Sequence, residues 1–329
     1  MKIMKPKWGL AGLGLSVAVI PGFYASDAVA QSYPNKPIRW IVPFIGGTAD
    51  YTARLIGQKL TDSWGQQVVI ENRAGASGMI GTELGSRAAP DGYTLILGNT
   101  AALAVSPNLY KTIPYDPIGS FTPVTLVATT AQVLVVHPSV AAQSLKELVA
   151  LAKSRPGQLN GGSSGNGESA HLALEMFKAV AGVNIVHVPY KDTGAAATAL
   201  LGGQVQLVFS GMLQAMPHVR DGKLRALAVS TVKRSRAAPD VPTIAELGFP
   251  NYSVSFWAGV IVPARTPREL VTRLNMEIVR ILDLPEVQEK MSDRGLEPMS
   301  STPEQFTAII KADIAKYGKV IRDIGLKVD

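Results

Sequence analysis

Arg39-Trp-Ile-Val-Pro-Phe-Ile-Gly-Gly-Thr-Ala-Asp50 decides how the rest of the chain is read. The apolar run Ile38–Val42 reads as a buried strand. Gly46-Gly47 allow a tight turn, and the residues beyond place Leu55, Ile56 and Leu60 on one face of an amphipathic helix. In such a strand–turn–helix corner the glycines let the backbone approach a bound group, and the free amides of the helix start point at it. Thr48 or Asp50 could instead cap that helix. The corner is read as one wall of a small-molecule site.

Outward from this corner, strand-like and helix-like segments alternate from Tyr33 onwards, which predicts an α/β fold with mainly parallel sheets. Residues 68–71 and 93–98 are the next strands. The second of these ends at Asn99 and Thr100, and ligands gather at such strand ends in open α/β sheets. Residues 106–120 are rich in proline and lack periodicity, so they read as a long surface connection. Two strand-like runs follow at 124–128 and 132–137, and Ser144-Leu-Lys-Glu147 is a capping box. A strand at 159–163 then enters Gly161-Gly-Ser-Ser-Gly-Asn-Gly167 and a helix, a second corner like the first. A long β-like run at 254–262 is suited to crossing back to the first sheet. Thr266-Pro-Arg-Glu269 and Thr302-Pro-Glu-Gln305 open two C-terminal helices. The two corners point to two similar α/β halves facing each other.

The 329 residues favour two domains, and 47% hydrophobic against 17% charged residues gives a sizeable core. Lys2, Lys5 and Lys7 precede an apolar run from Trp8 to Ile20, and Ala28-Val29-Ala30 fits a small-x-small cleavage pattern, the signature of a secretory signal peptide cut after Ala30. Losing residues 1–30 removes those lysines and Asp27, which leaves 29 basic and 24 acidic side chains, a net +5. The basic cluster Lys233-Arg234-Ser235-Arg236 has no interleaved aromatic residues, so a solvated loop is favoured over nucleic-acid binding. The absence of cysteine excludes disulfides and thiolate chemistry. No cofactor motif, histidine–carboxylate metal spacing or Walker sequence is present.

Several residues carry candidate chemistry. Gly161-Gly-Ser-Ser-Gly165 formally matches the elbow of serine hydrolases with Ser163 as nucleophile, an alternative from another functional class. An anion-cradling loop over residues 163–167 fits the composition better. His171, one turn into the following helix, is read as structural before catalytic. Lys191 ends a strand and either pairs with an anionic ligand or is solvated. Asp192 is most simply a helix cap. Phe209 either packs in the core or offers an aromatic face to the cleft.

The chain resembles the substrate-binding proteins of the tripartite tricarboxylate transporter family, the Bug family of periplasmic solute receptors. The matching segments include Tyr33-Pro-Asn-Lys-Pro-Ile-Arg39, Val42-Pro-Phe44 with Gly46-Gly47 and Asp50, and Val69-Ile-Glu-Asn-Arg-Ala-Gly75. Ala89-Pro-Asp-Gly-Tyr-Thr-Leu95, Gly165-Asn-Gly167 with His171-Leu172, Val188-Pro-Tyr-Lys191 and Pro239-Asp-Val-Pro-Thr243 match as well. The resemblance implies a two-domain, type II-like Venus-flytrap clamshell, not an enzyme, that closes on one small ligand and delivers it to membrane permease subunits. The expected ligand is an organic acid, amino acid or related amide, with no cofactor, no metal and no nucleic acid. A receptor serving a membrane sensor is the variant reading. The implied organisation is residues 31–130 plus 254–302 as one domain, 131–253 as the other and 303–329 as a C-terminal helix, with hinges near 129–132 and 253–257. The implied first wall is Phe44, Gly46, Gly47, Thr48 and Asp50 with Asn99 and Thr100. The second is Ser164, Gly165, Asn166, Gly167 and Glu168, with Lys191, Asp192, Thr193 and Phe209 close by.

The chain departs from the family pattern at three places. The first glycine loop is one residue shorter, Glu168 stands where serine or threonine is common, and Asp192 where glycine is common. An acid at a helix start gains about 0.3–1 kcal/mol from the helix dipole. Two like charges about 4 Å apart repel by about 4 kcal/mol at an effective dielectric near 20. The expectation is therefore a receptor that disfavours di- and tricarboxylates and prefers an amine, amide or hydroxyl end facing Glu168 and Asp192. The alternative is that both acids point outwards as caps.

Overall fold

The decisive corner forms as read: β1 (Ile38–Val42) is buried along most of its length and leads through Gly46 into α1 (Gly47–Trp64). The computed structural model describes residues 1–5, 33–323 and 325–326, so most of the expected signal peptide and its cleavage point lie outside the described residues. Beyond α1 come β2 (Val68–Asn72), α2 (Met79–Ser86), β3 (Thr94–Asn99), a π-turn at Ala101–Val105, α3 (Ser106–Leu109) and β4 (Phe121–Val136). The middle of the chain supplies α4 (Leu145–Ser154), β5 (Asn160–Ser163), α5 (Ser169–Ala181), β6 (Val186–Pro189), α6 (Thr193–Leu201), β7 (Leu207–Gly211), α7 (Met212–Arg220) and β8 (Arg225–Val229). The last part is β9 (Ser255–Pro263), α8 (Arg268–Leu282), α9 (Pro285–Ser292), β10 (Leu296–Pro298) and α10 (Pro303–Asp323).

The strand order is β2-β1-β3-β9-β4-β7-β5-β6, with β8 and β10 pairing β4. Each half is built alike. β1 lies between β2 and β3, and β5 between β6 and β7, all parallel. The central strands are antiparallel, so the sheet is mixed where the alternation of segments predicts mainly parallel pairing. The reason lies in the connections. β4 and β9 each enter a half from the end at which its parallel strands finish, and a strand arriving from that end must run against them. The two runs expected at 124–128 and 132–137 are one strand, because Thr129 and Thr130 stay paired to Trp257 and Phe256 and Gln132 pairs at once with Gly211.

The segment expected as a surface connection is partly buried. Within residues 106–120, Ser106 and Leu109 are buried, following the buried run Ala101, Ala102, Leu103, Ala104 and Val105 just before it. Tyr115 sits there too and donates its hydroxyl to the Ala102 carbonyl at 2.8 Å. Prolines alone suggest a loop, but the apolar run before them has to be covered. Ala104, Val105 and Leu109 join the core formed by α4, α5, β4 and β7. α10 packs Phe306 and Ile310 into the core around β9, and Tyr317 and Ile321 into the core of the other half. Phe306 meets Trp257 edge-on at 5.2 Å, and the Tyr317 hydroxyl donates to the Ser255 carbonyl at 3.1 Å.

Candidate ligand-binding site

The ends of β1, β3, β5 and β7 and the starts of α1, α5, α6 and α7 open onto one cavity of about 140 Å³. A cavity of about 150 Å³ elsewhere holds a benzene-sized molecule. Phe44, Gly46, Gly47 and Thr48 line it from the first corner and Asn99 and Thr100 from the end of β3. Gly46 and Gly47 take φ of +67° and +72°, a left-handed backbone that side chains resist. No side chain caps α1, so neither Thr48 nor Asp50 fills that role and the amides of its first turn remain open. Asp50 does not line the cavity: its carboxylate accepts from Asn72 Nδ2 at 2.7 Å and from Arg54 Nε at 2.9 Å.

Asn99 supplies the most informative polar atom. Its Oδ1 accepts from the Ala102 amide at 3.0 Å, which fixes the side chain, while its Nδ2 is buried with no partner among the described residues. A buried amide donor left without a partner costs about 1–3 kcal/mol. Thr100 beside it is satisfied, its hydroxyl accepting from the Trp257 amide at 2.9 Å.

The second corner is arranged differently from the expected anion cradle. Its loop amides are used internally. Gly165 N–H donates to Ser163 Oγ at 3.2 Å, Gly167 N–H to His171 Nδ1 at 2.9 Å and Glu168 N–H to the Gly165 carbonyl at 3.4 Å. Gly165, Asn166 and Gly167 accordingly do not line the cavity. The Asn166 carbonyl instead accepts from Ser77 Oγ at 2.6 Å and from the Tyr110 hydroxyl at 3.3 Å, so the two halves meet there. Ser164, Glu168, Thr193 and Phe209 do line it, as do Ser169 and Ala170 at the uncapped start of α5. Phe209 is also core, with its ring against Tyr252 at 6.3 Å.

The two acids separate. Asp192 is a cap, its Oδ1 accepting from the Ala195 amide at 2.8 Å, and it is exposed and off the cavity. Lys191 is likewise exposed at the surface. Glu168 occupies the cap position of α5 without capping it and faces the cavity. Ser164 Oγ donates to its Oε2 at 2.9 Å. Burial raises its carboxyl to about 7, against the Ser164 hydrogen bond, which favours the charged form.

Behind the glycine loop, His171 and His187 stack with ring centroids 3.7 Å apart. The Ser163 hydroxyl lies 2.6 Å from His187 Nε2, a serine–histidine pair of the kind the elbow motif requires. Ser163 is fully buried and does not line the cavity. Both imidazoles are held neutral. His171 is lowered to about 3 by burial and then by His187 and Lys178, and His187 to about 4 by burial and then by Lys178. Glu175 stands 3.7 Å from His171 Nε2, too far to accept from it, and pairs with Lys178 at 2.7 Å. The pair props the loop from behind.

Sequence reasoning missed Gln132, Gln214, Ser169, Trp257 and Thr129, all on the cavity. The polar triplet Thr129, Thr130 and Gln132 inside an otherwise apolar run is a signal that could have found three lining residues. Among the described residues, no cluster of histidine and acidic side chains could hold a metal ion, and no helix is long and apolar enough to cross a membrane.

Residues 52–326 match the model of the tripartite tricarboxylate transporter family receptor. The chain is 39% identical to protein BugT of Bordetella pertussis over 97% of this chain and 98% of that one. The structure of Rpa4515 from R. palustris with adipate superposes with a TM-score of 0.87 at 36% identity, over 90% of this chain and 99% of that one. MatC from Rhodopseudomonas palustris with bound malate gives 0.81 at 30% identity, over 88% and 100%. These relatives are solute-binding proteins, not enzymes, which removes the hydrolase alternative for Ser163. With two like α/β halves, a shared cavity at their strand ends and this agreement along nearly its whole length, the chain belongs to the tripartite tricarboxylate transporter receptor family.

Proposed function

We propose that this receptor captures a small carboxylate-bearing metabolite in the 140 Å³ cavity and hands it to the membrane permease subunits of a tripartite tricarboxylate transporter. The observation that carries the ligand class is Asn99 Nδ2, a buried donor without a partner beside the uncapped start of α1. Amide donors at a helix start, together with a fixed side-chain amide, suit a carboxylate without any lysine or arginine. Adipate and malate in the two similar structures support the same class. The binding set is Phe44, Gly46, Gly47, Thr48, Asn99, Thr100, Ser164, Glu168, Thr193 and Phe209, joined by Gln132, Ser169 and Gln214.

The lobes, residues 31–130 with 254–302 and residues 131–253, close about β4 at 129–132 and the chain at 253–257, and bound solute favours the closed state. A micromolar solute corresponds to about −8 kcal/mol. Maturation in the periplasm removes the segment up to Ala30. Native mass spectrometry of the protein purified without refolding tests this reading. The expected result is a mass shift from a co-purified carboxylic acid that is lost in Asn99→Ala. Retention of the same solute by Asn99→Ala, or a solute without a carboxyl group, contradicts it.

A further inference from the structure

Of the described residues that line the cavity, Glu168 is the one with an ionisable side chain. Among the described residues no lysine, arginine or histidine pairs with it, and its side-chain hydrogen bond is the one from Ser164 Oγ. The rest of the lining is threonine, serine, amide and apolar side chains. A carboxylate-binding cavity built this way holds a negative group of its own and no positive one to offset it. Buried charges in proteins are paired, or neutralised by a shifted pKa. The protein supplies Glu168 with no cationic partner, so a positive group on the solute would be the first to pair with its carboxylate.

We propose that Glu168 is a specificity-determining residue that selects solutes carrying a protonated nitrogen at the end opposite their carboxylate, an aminocarboxylate in place of a dicarboxylate. This rests on the carboxylate-receptor reading above, with the solute's carboxylate at Asn99 and the start of α1. The ammonium then meets the Glu168 oxygen that Ser164 leaves free. The Ser164 hydrogen bond occupies Oε2 and favours the charged form of the carboxyl, which suits an ammonium partner. A second carboxylate placed there would require Glu168 to stay protonated. Asp192 takes no part, because its carboxylate is spent on capping α6.

Titration calorimetry with chain-matched pairs tests the assignment: succinate with 4-aminobutyrate, glutarate with 5-aminopentanoate, and adipate with 6-aminohexanoate. The expected result is that the wild-type protein binds the amino member of at least one pair about tenfold or more tightly than the dicarboxylate, the factor a charge-assisted hydrogen bond supplies. Glu168→Gln should reverse that order. Glu168→Ser, a shorter side chain at the same helix start, should do the same and guards against a folding defect in the first variant. A dicarboxylate preferred by wild type, with its rank unchanged in both variants, overturns the role of Glu168 and leaves the carboxylate receptor standing. Binding of none of the six acids overturns both.

Discussion

At the first corner Gly46 and Gly47 both take positive φ and no side chain caps α1, so its amides face the cavity with no competitor. At the second corner Gly165 and Gly167 also take positive φ, of +143° and +74°, yet Ser163 and His171 consume their amides and Glu168 presents an acid instead. The backbone solution is shared and both helix starts are uncapped, but only the second corner spends its loop amides internally and adds an acid. Similar strand–glycine–helix corners therefore do not imply similar subsites. What decides is whether the loop's own amides are already satisfied. The second half adds an acid that the first lacks, and the proposed selection of a solute with unlike ends rests on that difference.

The same contrast should appear when a methyl group is added at each corner. At Gly167 a Cβ would stand 2.5 Å from Leu109 Cδ2, in the packed core, on a backbone at φ +74°. Gly167→Ala is expected to lose about 1–2 kcal/mol for the left-handed backbone and about 1–3 more for overpacking. At Gly47 the Cβ would meet only the tip of Gln214 at 3.0 Å, so Gly47→Ala should lose about 1–2 kcal/mol of stability and more of its ligand affinity. Chemical denaturation of both variants checks this, and equal losses would erase the distinction.

Asn99→Ala removes the donor that the first corner fixes and should weaken carboxylate binding by about 10- to 100-fold, corresponding to about 1.5–3 kcal/mol for a hydrogen bond to a charged group. Calorimetry reads it directly, and an unchanged affinity would deny the first corner its role.

Acid sharpens the comparison, since the titrating groups sit in the second half. His171 and His187 have folded pKa values below their ordinary 6.5, so the stability they contribute is present above that pH and is lost as pH falls. Glu168 is raised from 4.5 to about 7, so its contribution is full at low pH and is lost as pH rises through about 7. The two oppose each other between pH 7 and 5, where Glu168 offsets up to about 2 kcal/mol. The melting temperature of the unliganded protein should therefore fall gently on acidification, and that of Glu168→Gln more steeply. Parallel curves would show that Glu168 does not titrate in that range.

The smallest effect belongs to Asp192. Asp192→Ala loses a helix cap and about 1 kcal/mol of stability, with ligand affinity unchanged. A change in dicarboxylate affinity on the same variant would restore the reading in which both acids guard the cleft.

Much of this was legible in the chain itself. Gly46-Gly47 after an apolar run called for a corner because only glycine takes that backbone cheaply, and Asp192 before a helical run reads as a cap, which it is. The long-range pairings were not legible. That β4 runs unbroken follows from β9 and β7 pairing it in succession, and β10 exists because β4 offers it an edge. The use of the second loop's amides was hidden for the same reason. It depends on the β5–β6 register, which sets Gly161 opposite His187 and so brings that imidazole to Ser163. Whether Glu168 faced the cavity or capped α5 turned on those hydrogen bonds, which no local pattern encodes.

A crystal structure of the receptor with a carboxylate solute bound would show whether Asn99 and the start of α1 hold the carboxyl group. The expected position is a carboxylate oxygen within about 2.7–3.2 Å of Asn99 Nδ2 and of an amide in the first turn of α1. A carboxylate seated instead on Lys191 or at the Gly165–Gly167 loop, with Asn99 Nδ2 still unpartnered, would contradict it.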